Sequence, residues 1–309
     1  DNGRSRGLGD VYKRQAADNT GVGRNVLNAN TTGTKNTAAG ALALDANTTA
    51  DRNTAIGYQS LSANTTGERN TAVGTYSLIS NTTGGDNAAF GDAALYNNSA
   101  SYNTAVGRSA MSQNTTGASN TALGYNALNS NTVADNNTAV GREALNSNTT
   151  GPSNTAVGAY TLDANTTGQY NTACGWGALG ENTTGVENTA LGLRSLRANV
   201  TGQNNVAVGY YALDAYTAGY NTAVGSHALI NNTTVTHNVA VGYKSFHTVT
   251  TGGDNTGIGN YAGYYAEGQK NTFMGYTAGY GSASGTTGSY NTGIGLNAVS
   301  YTHLTLPTM

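Results

Sequence analysis

The chain has 309 residues, 37% of them apolar and only 10% charged, with a formal net charge of −2. Near-neutral charge leaves no electrostatic footprint for nucleic acid or an anionic membrane surface. The single cysteine excludes a disulfide scaffold and a multi-cysteine zinc site, and no uninterrupted apolar run approaches the roughly 18–20 residues of a membrane span.

In chain order, the first segment to separate is the start. Residues 5–15 (SRGLGDVYKRQ) and residues 299–309 (VSYTHLTLPTM) share nothing with the long stretch of chain between them. Both resemble translated sequencing-adapter DNA, one short element read in its two directions giving DVYKRQ and VSYTHL. Residues 1–15 and 299–309 are therefore set aside from the fold. Arg4, Arg6, Lys13, Arg14, Asp1 and Asp10 leave with them, and the net charge becomes −4. The natural chain is expected to run past both ends, so no signal or anchor segment is expected in view.

Residues 16–298 form one repeat domain. Copies begin at Asn19, Asn36, Asn53, Asn70, Asn87, Asn103, Asn120, Asn137, Asn154, Asn171, Asn188, Asn205, Asn221, Asn238, Asn255, Asn271 and Asn291. The spacing is 17 in twelve steps, 16 in three and 20 in the last, with the consensus N-T-A-V-G-Y-x-A-L-x-x-N-T-T-G-x-x. Slots 1 and 5 are Asn and Gly in all 17 copies, and slot 9 is Leu in 12 of the first 14. Gly, Asn, Thr and Val at these frequencies disfavour a helix, and short β-favouring stretches bounded by Gly and Asn point to strands and tight turns. Units of this size cannot bury a core alone, so they must stack. The expectation is an all-β parallel β-solenoid of about 17 coils. Strand 1 is placed at slots 1–4 and a second strand near slots 7–10. Slot 5 Gly is expected to hold a turn of positive φ or close approach, and the Asn columns of slots 1 and 12 to form hydrogen-bonded ladders between coils. Copies over residues 255–298 depart from the pattern, with Gly263 and Gly279 in place of Leu, and suggest a transition to another module.

Alternation along a strand puts slots 2 and 4 on one face and slot 3 on the other. Slot 4 is nearly always a large apolar residue, which reads as the coil interior, and it carries Cys174, Phe90 and Met274. Slot 3 is Ala in 13 copies and Gly in three, with no Lys, Glu or Gln. That column is expected to be an outer packing surface between chains, represented by Ala105, Ala122, Ala139, Ala156, Ala173 and Ala190.

The motif Asn205-Val206-Ala207-Val208-Gly209, repeated at Asn238-Val239-Ala240-Val241-Gly242, resembles the S-V-A-I-G signature of YadA-type heads in trimeric autotransporter adhesins. Similar repeats occur in phage tail fibres. The likeness covers residues 19–297. It implies a left-handed parallel β-roll, a homotrimer, and a role in attachment at a bacterial cell surface or on a virion. The repeat here is longer than the family's, and its second half, A-L-x-x-N-T-T-G, is different.

Catalytic, cofactor and metal sites are not expected. His227, His237 and His247 fall in variable slots and read as solvated turns, with no recurring carboxylate or cysteine partner. Carboxylates such as Asp45, Asp51, Glu68, Asp163 and Asp214 read as charged solenoid edges. A polysaccharide-cleaving tailspike would need two of them set across a groove. Asn-x-Thr sequences, as at Asn30, Asn64 and Asn165, read as a turn ladder. The adjacent threonines of slots 13 and 14 differ from the Thr-x-Thr of ice-binding solenoids, which leaves a monomeric ice- or glycan-binding solenoid as the alternative. The candidate receptor or glycan contacts are the aromatics of slots 6 and 7: Tyr58, Tyr76, Tyr125, Tyr160, Trp176, Tyr210, Tyr211 and Tyr243, continued by Tyr261 and Tyr276. The expected partners are other copies of the chain and a host-surface glycan or protein, without nucleic acid or direct membrane insertion.

Overall fold

A computed structural model describes residues 18–215, 218–281 and 288–298. The two adapter-like segments lie outside the described residues. The chain divides into two units, Asp1–Asn154 and Thr155–Met309. In the first, eight strands follow one per copy: β1 (Thr20–Val22), β2 (Thr37–Ala39), β3 (Thr54–Ile56), β4 (Thr71–Val73), β5 (Ala88–Phe90), β6 (Thr104–Val106), β7 (Thr121–Leu123) and β8 (Thr138–Val140). Each pairs in parallel with the next, slot against identical slot, as in Thr37 with Thr54 and Ala38 with Ala55. The second unit repeats this from β9 (Thr155–Val157) to β17 (Thr292–Ile294). The fold is a parallel β-solenoid with one coil per copy, and no helix occurs among the described residues.

Register survives the irregular copies. Ala88 pairs with Thr104 across a 16-residue step, and Phe273 with Gly293 across the 20-residue step. Length changes are therefore absorbed in the turns beyond slot 9, and each strand keeps its phase. A slip of one residue would exchange the two faces.

The faces are the reverse of the expectation. Slot 3 alanines, including Ala105, Ala122, Ala139, Ala156, Ala173 and Ala190, are wholly buried inside their own coil. They cannot be a surface between chains. The larger slot 4 side chains point outward, with Ile56 43% and Leu123 46% exposed. The reason is the thinness of the coil. The slot 9 side chain runs directly beneath slot 3, so that a Cβ placed on Gly21 would stand 3.7 Å from Leu27 Cδ1. Only Ala or Gly fits between the strand and the Leu layer. The interior is thus Ala of slot 3, a small residue at slot 8, Leu at slot 9 and the two Asn columns. Cys174, expected as a core residue, is exposed on the sheet face for the same reason.

Among the described residues the second strand is also absent. Slots 7 and 9 are left-handed turn residues, as in Leu42 (φ 62) and Leu44 (φ 49), and slot 17 is left-handed as well, as in Arg52 (φ 60). Left-handed backbone costs a non-glycine residue about 1–2 kcal/mol. Full burial of the slot 9 Leu side chain, at roughly 1.5–3 kcal/mol, offsets it. Coil-to-coil backbone bonds nevertheless continue here, such as Leu44 N to Ser60 O at 3.2 Å.

The Asn columns behave as expected. Asn53 N–H donates to Asn36 Oδ1 of the preceding copy (2.9 Å), and its Nδ2 donates to Gly67 O (2.9 Å). Asn64 Nδ2 donates to that same carbonyl (3.0 Å) and to Asn47 Oδ1 (3.1 Å). The second unit repeats the scheme at Asn188, Asn199 and Asn205. Each buried amide satisfies backbone groups that a coil this thin could not otherwise pair. Among the described residues Asn81 Oδ1, Asn199 Oδ1, Asn137 Nδ2 and Asn232 Nδ2 are the buried amide atoms of these columns that have no hydrogen-bond partner.

Slot 5 Gly sits at φ near +135, and a Cβ on Gly57 would lie 2.5 Å from Gly74 O in the next coil. Both parts of the expectation hold there, positive φ and close approach.

Candidate functional site

Two surfaces recur in each unit. The first is the outer face of the sheet, where slot 2 presents Thr except at Ala88, Val206 and Val239, and slot 4 presents Val, Ile, Leu, Phe, Met or Cys except at Ala39. In the first unit the slot 4 column runs Val22, Ala39, Ile56, Val73, Phe90, Val106, Leu123, Val140. Val22, Ile56, Phe90 and Leu123 are exposed along it and the residues between them are half-buried, so the apolar exposure here follows one column and is not scattered.

The second surface is the edge formed by slots 6 and 7. In the first unit Tyr58 meets Tyr76 edge-on at 5.5 Å between centroids, and Tyr76 meets Tyr96 at 6.3 Å. Tyr125 stands between the guanidinium groups of Arg108 and Arg142, each 6.0 Å from the ring centre. In the second unit Tyr160 packs on Trp176 at 6.0 Å, and Arg194 lies over both Trp176 (5.2 Å) and Tyr211 (5.6 Å). Arg194 also donates to the Tyr211 hydroxyl at 3.0 Å. Tyr210 contacts Tyr211 and His227, and Tyr243 contacts His227 and Tyr261. Every aromatic singled out from the sequence therefore lies on this edge. Slot 6 rings are the more exposed, and slot 7 rings are half-buried beside them.

Slot 10 contributes aromatics that the slot 6–7 reading leaves out. His247, Tyr264 and Tyr280 occupy it in three consecutive copies and stack nearly parallel, at 4.8 and 5.2 Å. The recurrence of a ring at one slot in neighbouring copies is the signal that finds them. His227 and His247, expected in solvated turns, are packed in this aromatic group 6.4 Å apart. Burial, then the Lys244 charge, hold both below the ordinary histidine value.

The carboxylates are tied locally. Asp51 accepts from the backbone and hydroxyl of Thr34, which holds it below the ordinary carboxylate range, whereas burial pushes Asp45 up. Asp86 is paired with Arg69 and Asp214 with Arg197. The Thr65 hydroxyl donates to Thr82 O, so slot 13 is engaged in a ladder of its own. Asn64 and Asn165 are buried. Among the described residues no group of three or more His, Cys, Asp or Glu is placed to hold a metal ion, and no helix is long and apolar enough to cross a membrane.

Comparison with protein-family models gives no match to this chain, and comparison with curated proteins gives none either.

Proposed function

We propose that this chain is a non-enzymatic segment of an attachment fibre, on a bacterial cell surface or a phage virion, and that it assembles as a homotrimer. Its copies pack through the slot 2 and slot 4 sheet face and leave the aromatic edge for a host-surface glycan or protein. The observation that carries this reading is the outward column of mostly large apolar side chains, Ala39 being the small exception. The trimer and the left-handed roll follow the resemblance to the adhesin heads. Presentation is the mechanism: repeated weak contacts on a repetitive scaffold gain strength through avidity.

Light scattering after size exclusion tests the assembly. Three chains are expected for the native protein, and one chain for the variant Val106→Lys, Leu123→Lys, Val140→Lys with its circular dichroism unchanged. A native monomer overturns the reading.

One observation favours a second reading, ice binding by a monomer. The outward face does carry a Thr column, broken at Ala88, Val206 and Val239, beside an apolar column in strict register. Against it, Ala39, Phe90 and Cys174 interrupt the uniform width that matching a lattice requires. Thermal hysteresis at native concentration decides between them.

A further inference from the structure

Slot 6 of the second unit carries a pattern finer than aromatic enrichment. Trp176, Tyr210, Tyr243 and Tyr276 occupy every second copy, and Leu193, Ser226 and Asn260 occupy the copies between. Backbone bonds fix the rise at this slot, because each slot 6 carbonyl accepts from the slot 7 N–H of the next coil. Examples are Arg194 N to Trp176 O (3.0 Å), His227 N to Tyr210 O (2.9 Å) and Tyr261 N to Tyr243 O (2.9 Å). With coils about 4.8 Å apart, consecutive rings of the row are about 9.6 Å apart.

This is not how the same chain seals a turn. At slot 10 the rings fall in consecutive copies and stack on each other, half-buried. The slot 6 rings skip a copy, so none stacks on its neighbour in the row, and they stand 45%, 49%, 38% and 53% exposed in chain order. Neighbours hold them in place: Tyr160 meets Trp176 edge-on and Arg194 lies over it, His227 and Tyr261 meet Tyr243 edge-on while Lys244 lies over it at 5.3 Å, and Tyr261 meets Tyr276 edge-on. Bracing lowers the ordering cost of binding. Between the rings Asn260 Oδ1 accepts from Tyr243 N–H (3.0 Å), which fixes the side chain and leaves its amide nitrogen as a donor.

We infer that this row binds an extended β-1,4-linked glycan running along the coil stack, with every second pyranose lying on Trp176, Tyr210, Tyr243 or Tyr276. In such a chain successive sugars are turned over, so the same apolar C–H face returns every second residue, at a repeat close to two coils. The sugars between the rings face Leu193, Ser226 and Asn260; Asn260 offers its amide nitrogen, and the Ser226 hydroxyl, 2.8 Å from His227 Nδ1, offers its remaining hydrogen-bonding capacity. Ring faces supply the apolar area that sugar C–H groups need. The inference deepens the attachment reading and rests on its aromatic edge, not on its assembly.

The test is titration of the full chain with chitohexaose, cellohexaose and, as the helical α-linked control, maltohexaose, read by calorimetry and by fluorescence of Trp176, the single tryptophan. At least one β-linked hexaose is expected to bind and to perturb Trp176, with maltohexaose at least tenfold weaker. Tyr243→Ala should weaken binding at least fivefold, and Tyr243→Phe should retain it. The exchange Ser226→Tyr with Tyr243→Ser keeps the ring count and moves one ring by a single coil; it should lose as much as Tyr243→Ala. Failure of both β-linked hexaoses to bind, equal binding of maltohexaose, or native affinity in the exchange variant overturns the inference. A trimeric mass without glycan binding removes this inference alone, and a monomeric mass with binding removes the fibre assembly alone.

Discussion

The regular coils and the C-terminal coils solve the same packing problem with different residues. In the first unit each coil after the first, which has Gly21, contributes its own Ala at slot 3, and every coil contributes Leu or Met at slot 9. Over residues 238–298 that division breaks down: slot 9 becomes Phe246, Gly263 and Gly279, and slot 3 becomes Gly257, Phe273 and Gly293. The rings make up the lost volume across coils. Phe246 reaches under Gly257, where a Cβ would stand 2.6 Å from its Cε2, and it occupies the space that a side chain on Gly263 would need. Phe273 does the same at Gly279, and the two rings pack 6.3 Å apart. What the solenoid holds constant is the volume between strand and turn, since interiors tolerate exchange of residues when volume is kept. The departures at Gly263 and Gly279 are therefore accounted for by packing within this domain.

The largest expected effect separates a stacked coil from the last one. Gly57→Ala puts a methyl 2.5 Å from Gly74 O at φ +134, and should cost about 2–4 kcal/mol. Gly295, in the final copy at φ +121, has nothing within 4 Å of its Cβ position among the described residues. Gly295→Ala should then cost only the backbone strain, about 1 kcal/mol. Gly67→Ala at slot 15 also brings a methyl against Gly84 O, but without left-handed backbone there and with Ala50 and Ala134 already at that slot it should cost less than Gly57→Ala. Denaturant midpoints rank the three. Equal losses at Gly57 and Gly295 would mean that close approach between coils is not what fixes slot 5.

Next comes the exchanged core itself. Phe246→Leu alone leaves a void over Gly257 and Gly263 and should cost about 1–3 kcal/mol. Gly263→Leu alone drives a side chain into the Phe246 ring. Together they restore the regular pattern, and the φ of +63 at Gly263 is close to the value of about 50 at the slot 9 leucines. A double-mutant cycle should return a favourable coupling of at least about 1 kcal/mol. Additive losses would break the comparison.

How far this was legible depends on what each column reports. The parallel solenoid, its register, the slot 5 Gly and the Asn ladders were readable, because each is one residue type repeated for one local reason. The orientation of the strand was not. Val, Ile and Leu at slot 4 look like an interior by hydrophobicity, and Ala at slot 3 looks like a flat exterior. The choice turns on the thickness of the coil, which is set by the Leu of slot 9 crossing under the strand and is not a property of either column. The second strand failed for a related reason: Leu42 and Leu44 take left-handed backbone that no propensity favours, and burial and coil-to-coil hydrogen bonds sustain it. The aromatic edge was readable by slot, while its alternate-coil spacing needed the backbone ladder that fixes the rise.

A smaller effect distinguishes the units by pH. All described histidines lie in the second unit, and His227 and His247 are held below the ordinary value of 6.5 by burial and Lys244. A depressed folded value means the folded state binds protons less readily than the unfolded one. The stability they contribute is thus present above about pH 6.5 and is lost as the pH falls through their folded values. The first unit depends on Asp51 and Asp86, lowered from 3.8 by Thr34 and Arg69, so its loss begins below about pH 4. Hydrogen exchange resolved by segment should show the second unit loosening as the pH falls below 6.5 while the first stays unchanged down to about pH 4. Parallel loosening would assign the effect to something other than the histidines.

The smallest effect is a rate, and it probes the sheet face directly. Cys174 stands in the slot 4 column between Val157 and Leu191, exposed in the single chain. A thiol there should label with maleimide as fast as a free cysteine peptide wherever the face is open. If copies of the chain cover that face, labelling of the native assembly should slow at least tenfold and recover on dilution to the monomer. Glu181, on the turn side of the same copy and in an ion pair with Arg197, offers the contrast. A cysteine placed there by Glu181→Cys should label quickly in both states. Protection at Cys174 without protection at position 181 locates the interface on the strand face, and fast labelling at both leaves that face open to solvent.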